Sequence, residues 1–317
     1  MKRLEFIKYM AGFTTMIGLG SFKQFVDDLP EQAQTMPVLF IGHGSPMNAI
    51  ENNTFSLAWQ NLGKTLPKPK AVLCVSAHWL TQGTFVTAMP TPPTIHDFGG
   101  FPKALFDVQY PAPGDVDMAK LVQATMHSSK VGLNTDWGLD HGTWSILKHI
   151  YPLADVPVLQ LSIDYAQPMS VHYQLAKDLA ALRKKGVLIV GSGNMVHNLG
   201  QVAWDKFAVD NYAYDWAIEM NTLFKQNILQ QNHQALINYT ALSKHALLAI
   251  PTPDHYIPLL YTLALQDKKD QVSFFNDQYV AGSLSMTSVY IGAQTFNGNL
   301  PVQVKPLDSS GKDSTAL

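Results

Sequence analysis

The sequence predicts an α/β protein: a mostly parallel central sheet, helices on both faces, and a single domain over residues 36–304. Three observations carry this. Short uninterrupted apolar runs at residues 38–41, 71–75 and 187–190 are bounded by Gly, Pro or Ser, the pattern of strands buried on both faces. Segments with helical spacing alternate with them, as in a sheet wound with crossover helices. A histidine stands just past each run (His43, His78 and His197), where open α/β sheets place their ligands.

Taken in order, Lys2, Arg3 and Lys8 precede a weakly apolar stretch, 9–22. It is too short for a spanning helix and has the charge-then-apolar order of an export signal. Residues 3–8 resemble a twin-arginine leader with Leu4 in place of the second arginine. Residues 1–35 are therefore set apart as a leader, or as an amphipathic extension of a cytoplasmic protein, which leaves cytoplasm and periplasm both open. The first strand runs into Gly42-His43-Gly44-Ser45-Pro46, where glycines allow a sharp turn and clear space around the imidazole. A helix follows over 55–66, ended by Pro67 and Pro69. The second strand, 71–75, ends at Ser76-Ala77-His78-Trp79, and a shorter one is expected at 85–87.

Residues 95–102 are aromatic and Gly-rich with no period. Such a loop inside a compact domain points to function. Helices are expected over 115–128, capped by Asp115, and from 139 to 149. A strand at 158–163 and a helix at 169–185, ending in basic residues and Gly186, come next. After the third strong strand the chain predicts a helix from about 207 to 230, another from 251 to 265, and a last strand at 283–291. Residues 305–317 read as a flexible tail.

Composition narrows the chemistry. A formal net charge of −2 argues against a phosphate-backbone binder, so no nucleic-acid partner is expected. No stretch predicts a stable membrane span. The single cysteine, Cys74, lies in an apolar run and excludes an internal disulfide or a Cys-rich zinc site. Eleven histidines are left as the main supply of metal ligands.

His43, His78 and His197 at strand ends, with His255 at a helix start after Pro-Thr-Pro-Asp, form a candidate set for Zn2+ or Fe2+. Each alone is as well explained as a hydrogen-bonded structural histidine; three at equivalent strand ends are not. His141, at another helix start, is a candidate general base or substrate hydrogen-bond partner. His96 is a candidate pocket residue. Gly191-Ser192-Gly193-Asn194 lacks the third glycine of a dinucleotide turn, and Ser45 lacks a nucleophile-elbow frame.

Several blocks together are similar to the class III extradiol ring-cleavage dioxygenases, in the 4,5-DOPA extradiol dioxygenase branch. They are Gly42-His-Gly-Ser-Pro-Met47, Ser76-Ala-His-Trp79, the stretch 92–102, Asp140-His-Gly-Thr-Trp144, 191–199, 251–261 and 282–286. The resemblance implies metal ligation by His43, His78 and His255. His197 would stand at the metal or beside it as acid or base, and His141 would face the catechol. It further implies one divalent metal per chain (Zn2+ or Fe2+, with Fe2+ expected for dioxygenase chemistry) and a small aromatic diol and O2 as partners. Phe98, Trp79 and Trp144, with His96, would wall the ring. Two positions depart from the wider family: Gly200 replaces the arginine common after His-Asn-Leu, and the third ligand is His255 rather than a carboxylate. The residues also suit a zinc hydrolase using metal-bound hydroxide, or a metal-binding protein whose four histidines close the shell. The ring substituents, the physiological metal and the oligomeric state stay open.

Overall fold

The computed structural model describes residues 35–297, so all but the last residue of the leader expected at 1–35, and the tail at 305–317, lie outside the described residues. The centre is four parallel strands: β1 (Val38–Gly42), β2 (Ala71–Thr81), β5 (Val158–Asp164) and β6 (Val187–Gly193). Between β2 and β5 in the chain come β3 (Thr84–Thr87) and β4 (Val131–Asn134). β7 (Gln271–Phe275) and β10 (Ser288–Gly292) close the other edge. The eight strands lie in the order β4-β3-β5-β2-β6-β1-β10-β7. β3 meets β5 antiparallel, as β10 does β1, so the sheet is mixed but mostly parallel at its core. This is the predicted fold class.

Alternate residues of the central strands feed two cores, as a sheet covered on both faces requires. Val38, Phe40, Leu73, Val75 and Ile189 point to one side. They pack there under α3 (Val116–Thr125), α5 (Met169–Lys177) and α10 (Ile257–Leu263). Leu39, Ile41, Val72, Cys74 and Val190 point to the other, under α1 (Thr54–Thr65) and α4 (His141–Ile150). Asp115 caps α3 as its sequence suggests, accepting the Met118 N–H. Cys74 is a buried thiol that accepts the Thr143 hydroxyl.

Several boundaries differ from the sequence expectations, each for a tertiary reason. β2 continues to Thr81 instead of ending at Val75, because a register shift between Val75 and Leu80 lets the strand pair with β5 again. His78 therefore sits in a bulged strand, not beyond one, and bulges re-aim side chains. The helix expected over 169–185 breaks into α5 and α6 (Ala180–Lys184), where the Asp178 carboxylate accepts the Ser128 N–H. The helix expected from 207 is only α7 (Asp215–Leu229), because Tyr212 and Tyr214 pair their backbones with Gly282. α10 begins at Ile257, so His255 lies in the turn before it. The strand expected at 283–291 divides into β9 (Leu284–Ser285), paired with β8 (Tyr279–Val280), and β10. The edge strands β4 and β7 had no clear sequence signal. No helix among the described residues is long and apolar enough to cross a membrane.

Candidate metal centre

Strand register brings the first two histidines together. Ile41 of β1 and Ser76 of β2 both lie opposite Ser192 of the intervening β6. His43 and His78, each two residues further on, thus emerge level with one another on the same side of the sheet. Their Nε2 atoms are 3.0 Å apart. The chain around His255 joins them because β6 ends in Gly193. A Cβ there would collide with the His255 carbonyl, and the next residue, Asn194, donates its N–H to that same carbonyl at 2.9 Å. Gly142 brings α4 equally close, for a Cβ on it would stand 2.9 Å from the His78 ring. Gly44 makes the sharp turn its sequence position suggests, but the space that it and Gly42 leave has another use. Cβ atoms there would strike Met286, and Gly44 has φ +60°, so these glycines admit the Met286 segment rather than clearing space at the imidazole.

Five imidazoles result. The ring centroids of His43, His78 and His255 form a triangle with sides of 5.0, 5.0 and 5.3 Å. His141 lies 3.9 Å from His78, and His197 stacks on His255 at 3.6 Å with planes 5° apart. His43, His141 and His255 are buried, His78 and His197 half-buried. Ligand atoms of His43, His78 and His141 all lie within 4.8 Å of one another, and so do those of His197, Asp254 and His255.

Hydrogen-bond partners fix the free nitrogens. The Ser192 hydroxyl donates to the Gly142 carbonyl at 2.5 Å, so toward His43 it accepts, taking the Nδ1–H at 2.9 Å. Nε2 of His43 is left with its lone pair. His255 gives its Nδ1–H to the Asp254 carboxylate in the same way. Asp97, in the aromatic loop, accepts both the backbone N–H and Nδ1–H of His141, each at 2.9 Å. Its Oδ2 stands 3.5 Å from Nδ1 of His78. Imidazoles held through the outer nitrogen are the arrangement metal-binding histidines use.

Electrostatics agree. Burial, then the neighbouring imidazoles, drives the pKa of His43 well below its ordinary value. Burial followed by His141, His255 and His197 does the same to His78. His197 falls to about 3, by burial and His255, against the pull of Asp254. Burial raises the carboxyls of Asp97 and Asp254, but the hydrogen bonds and charges of His141 and His255 outweigh it, and both end below the ordinary value. Neutral imidazoles with free lone pairs beside ionised carboxylates are a donor set for a divalent cation. The residues fit a metal ion.

Around this cluster, Phe98 meets His141 edge-on at 5.6 Å and packs with Phe101 and Phe106. His96 donates its Nε2–H to the Val108 carbonyl at 3.0 Å and packs on Phe98 and Trp144. Trp144 is fully buried, its indole N–H on the Ile95 carbonyl, and backs this wall from the core. Trp79 turns to Trp137, stacked at 5.7 Å. Glu51 bonds Asn53 at an exposed edge, and Gly200 is exposed in a short turn at Leu199–Gln201. Sequence reasoning missed Asp97 and Ser192 as partners of the imidazoles. The only hints were that Asp97 follows His96 and that Ser192 lies between two glycines.

A buried, carboxylate-flanked histidine cluster at the strand ends of an α/β sheet is a site that could hold a metal ion. The family described as the catalytic LigB subunit of aromatic ring-opening dioxygenase matches residues 37–290. A 4,5-DOPA dioxygenase extradiol of Escherichia coli K12 is 46% identical over 271 residues, covering 84% of this chain and 98% of the relative. One from Beta vulgaris is 32% identical over 256 residues, covering 78% and 94%. The crystal structure of an uncharacterized Escherichia coli K12 protein superposes with a TM-score of 0.71 at 42% identity, covering 81% of this chain and 100% of that one. The chain belongs to the LigB family of class III extradiol dioxygenases, enzymes that open aromatic rings.

Proposed function

We propose that this enzyme cleaves a DOPA-like catechol beside its diol, using O2 and one divalent metal held by His43, His78 and His255. One observation carries the ligand assignment: the triangle of ring centroids with sides of 5.0, 5.0 and 5.3 Å. Imidazoles bound about 2.1 Å from a common ion, at angles of roughly 90–110°, hold their centroids roughly 4.5–5.2 Å apart. His141 at 3.9 Å from His78 and His197 at 3.6 Å from His255 are too close to be neighbouring ligands at such angles. The substrate class is supported by relatives, named 4,5-DOPA dioxygenase extradiol, that match over nearly their whole length.

Fe2+ supplies the redox reactivity toward O2 and the open positions that this reaction requires, whereas Zn2+ has no redox chemistry. The chain supplies the rest. His197, stacked on His255 at 3.6 Å, stands beside the ligand set as the acceptor of the phenolic proton. His141 gives its Nδ1–H to Asp97 and offers Nε2 to the second hydroxyl. Phe98, backed by His96 and Trp144, walls the aromatic ring and keeps water from it.

The test is anaerobic loading of the apo-protein with Fe2+ or Zn2+, followed by O2 uptake with L-DOPA and a panel of catechols. Uptake and a yellow ring-opened product with iron alone is the expected result. No uptake with iron across the panel overturns the reading in favour of a zinc hydrolase or a closed binding site. His43→Ala or His78→Ala abolishes metal retention, while His141→Ala keeps the metal and loses turnover. Unchanged metal content in either of the first two refutes the ligand set.

A further inference from the structure

We propose that Asp97 is a positioning residue for His141, fixing its tautomer and orientation so that Nε2 is the nitrogen offered to substrate. The inference rests on the acid–base role given to His141 above. Asp97 lies 44 residues before His141, in the aperiodic loop, and spends both carboxylate oxygens on that one residue. Oδ1 takes the backbone N–H and Oδ2 takes Nδ1, each at 2.9 Å. A carboxylate only accepts, so Nδ1 carries a proton, and in the neutral imidazole that leaves the lone pair on Nε2. Two bonds from a single rigid group, one to the backbone and one to the ring, set the rotation of the imidazole as well as its tautomer.

Helix capping does not account for this contact. α4 already has a cap in Asp140, whose Oδ1 accepts the Thr143 N–H at 3.0 Å and the Ser76 hydroxyl at 2.7 Å. The other Asp140 oxygen accepts the Gln160 amide at 2.6 Å. Asp97 takes the first N–H of the helix, but nothing about capping calls for its second bond, the one to the ring. Nor is the carboxylate shared equally between two rings, since His78 Nδ1 stands further off, at 3.5 Å. The adjacent Phe98 lies edge-on to His141, so one dipeptide of the loop supplies both the acceptor behind the imidazole and the apolar surface beside it.

The experiment reads the tautomer directly, with long-range 1H–15N spectra of the full chain loaded with diamagnetic Zn2+. His141→Gln identifies the His141 cross-peaks. The wild type should show Nδ1 protonated. In Asp97→Ala that signature should give way to Nε2–H or a mixture of tautomers. The iron-loaded variant should lose roughly 10–100-fold in kcat, part of the roughly 10²–10⁴-fold that a positioned general acid or base contributes. Its iron content should be unchanged. Adding Asp97→Ala to His141→Gln should then lower kcat by less than twofold. Retention of the Nδ1–H tautomer overturns the proposal. So does loss of iron, which would make Asp97 a partner of His78, and so do effects that multiply in the double variant. If Asp97→Ala does not fold, Asp97→Asn carries the same readouts, because an amide oxygen can satisfy only one of the two N–H donors. Wild-type kcat in His141→Gln refutes the acid–base reading alone, and the tautomer still decides the role of Asp97.

Discussion

Ser192→Ala removes one hydroxyl from the middle of the sheet and should act on metal affinity rather than on folding. The Oγ accepts the Nδ1–H of His43 at 2.9 Å and donates to the Gly142 carbonyl at 2.5 Å. The backbone pairs of Ser192 with Ile41 and Ser76 do not involve the side chain and survive. In the apo-protein the variant has an escape. The His43 proton can move to Nε2, where Nε2 of His78 lies 3.0 Å away to accept it. With a metal on Nε2 that escape is closed, and Nδ1–H stays buried without a partner, costing about 1–3 kcal/mol. The difference falls on binding, so affinity should drop roughly 10–100-fold, about 1.4–2.7 kcal/mol. Anaerobic competition of apo-protein against a chromophoric chelator measures it with either Fe2+ or Zn2+. At saturating iron, kcat should stay within about threefold of wild type. A dissociation constant within twofold of wild type refutes the reasoning, since it would mean that the serine does not govern the His43 tautomer.

Two further predictions concern stability. The Arg183 guanidinium is buried against Asp270, at 2.7 and 3.2 Å, and also donates to the carbonyls of Met36 and Leu265. Arg183→Met should cost about 3–5 kcal/mol in urea unfolding, because it strands a buried carboxylate. Adding Asp270→Asn should recover part of that loss, and a loss below about 1 kcal/mol for the single variant contradicts the assignment. His172 is fully buried beside Tyr261, and burial lowers it to about 4 against the opposing pull of Asp164 and the Gln167 backbone. Between pH 6.5 and 4 the unfolded chain therefore binds more protons at this residue than the folded one, so stability falls as pH falls. From pH 7.5 to 4.5 the wild type should lose about 2–3 kcal/mol more than His172→Gln; equal slopes for the two would refute the shift.

Much of the fold was legible because its signals are contiguous. The apolar runs of β1, β2, β5 and β6 are short, bounded and buried on both faces, and their character does not depend on which strand lies beside which. The edges were less legible. β4 reads Val-Gly-Leu-Asn and becomes a strand only because β3 pairs with it, Thr84 to Val131 through Thr87 to Asn134. Residues 207–214 have helical composition, yet Gly282 captures the backbone groups that a helix would have used.

By itself the sequence determined the α/β class and nominated the histidines, since strand propensity, glycine turns and residue type are written locally. Tertiary structure decided which rings form the triangle, which two lie against it and which nitrogens stay free. Those choices depend on β6 lying between β1 and β2, on the register that sets Ile41 and Ser76 level with Ser192, and on Asp97 and Asp254 arriving from separate loops. Imidazole chemistry is set by a partner within about 3 Å, and a linear sequence does not specify distances of that order between residues far apart along the chain.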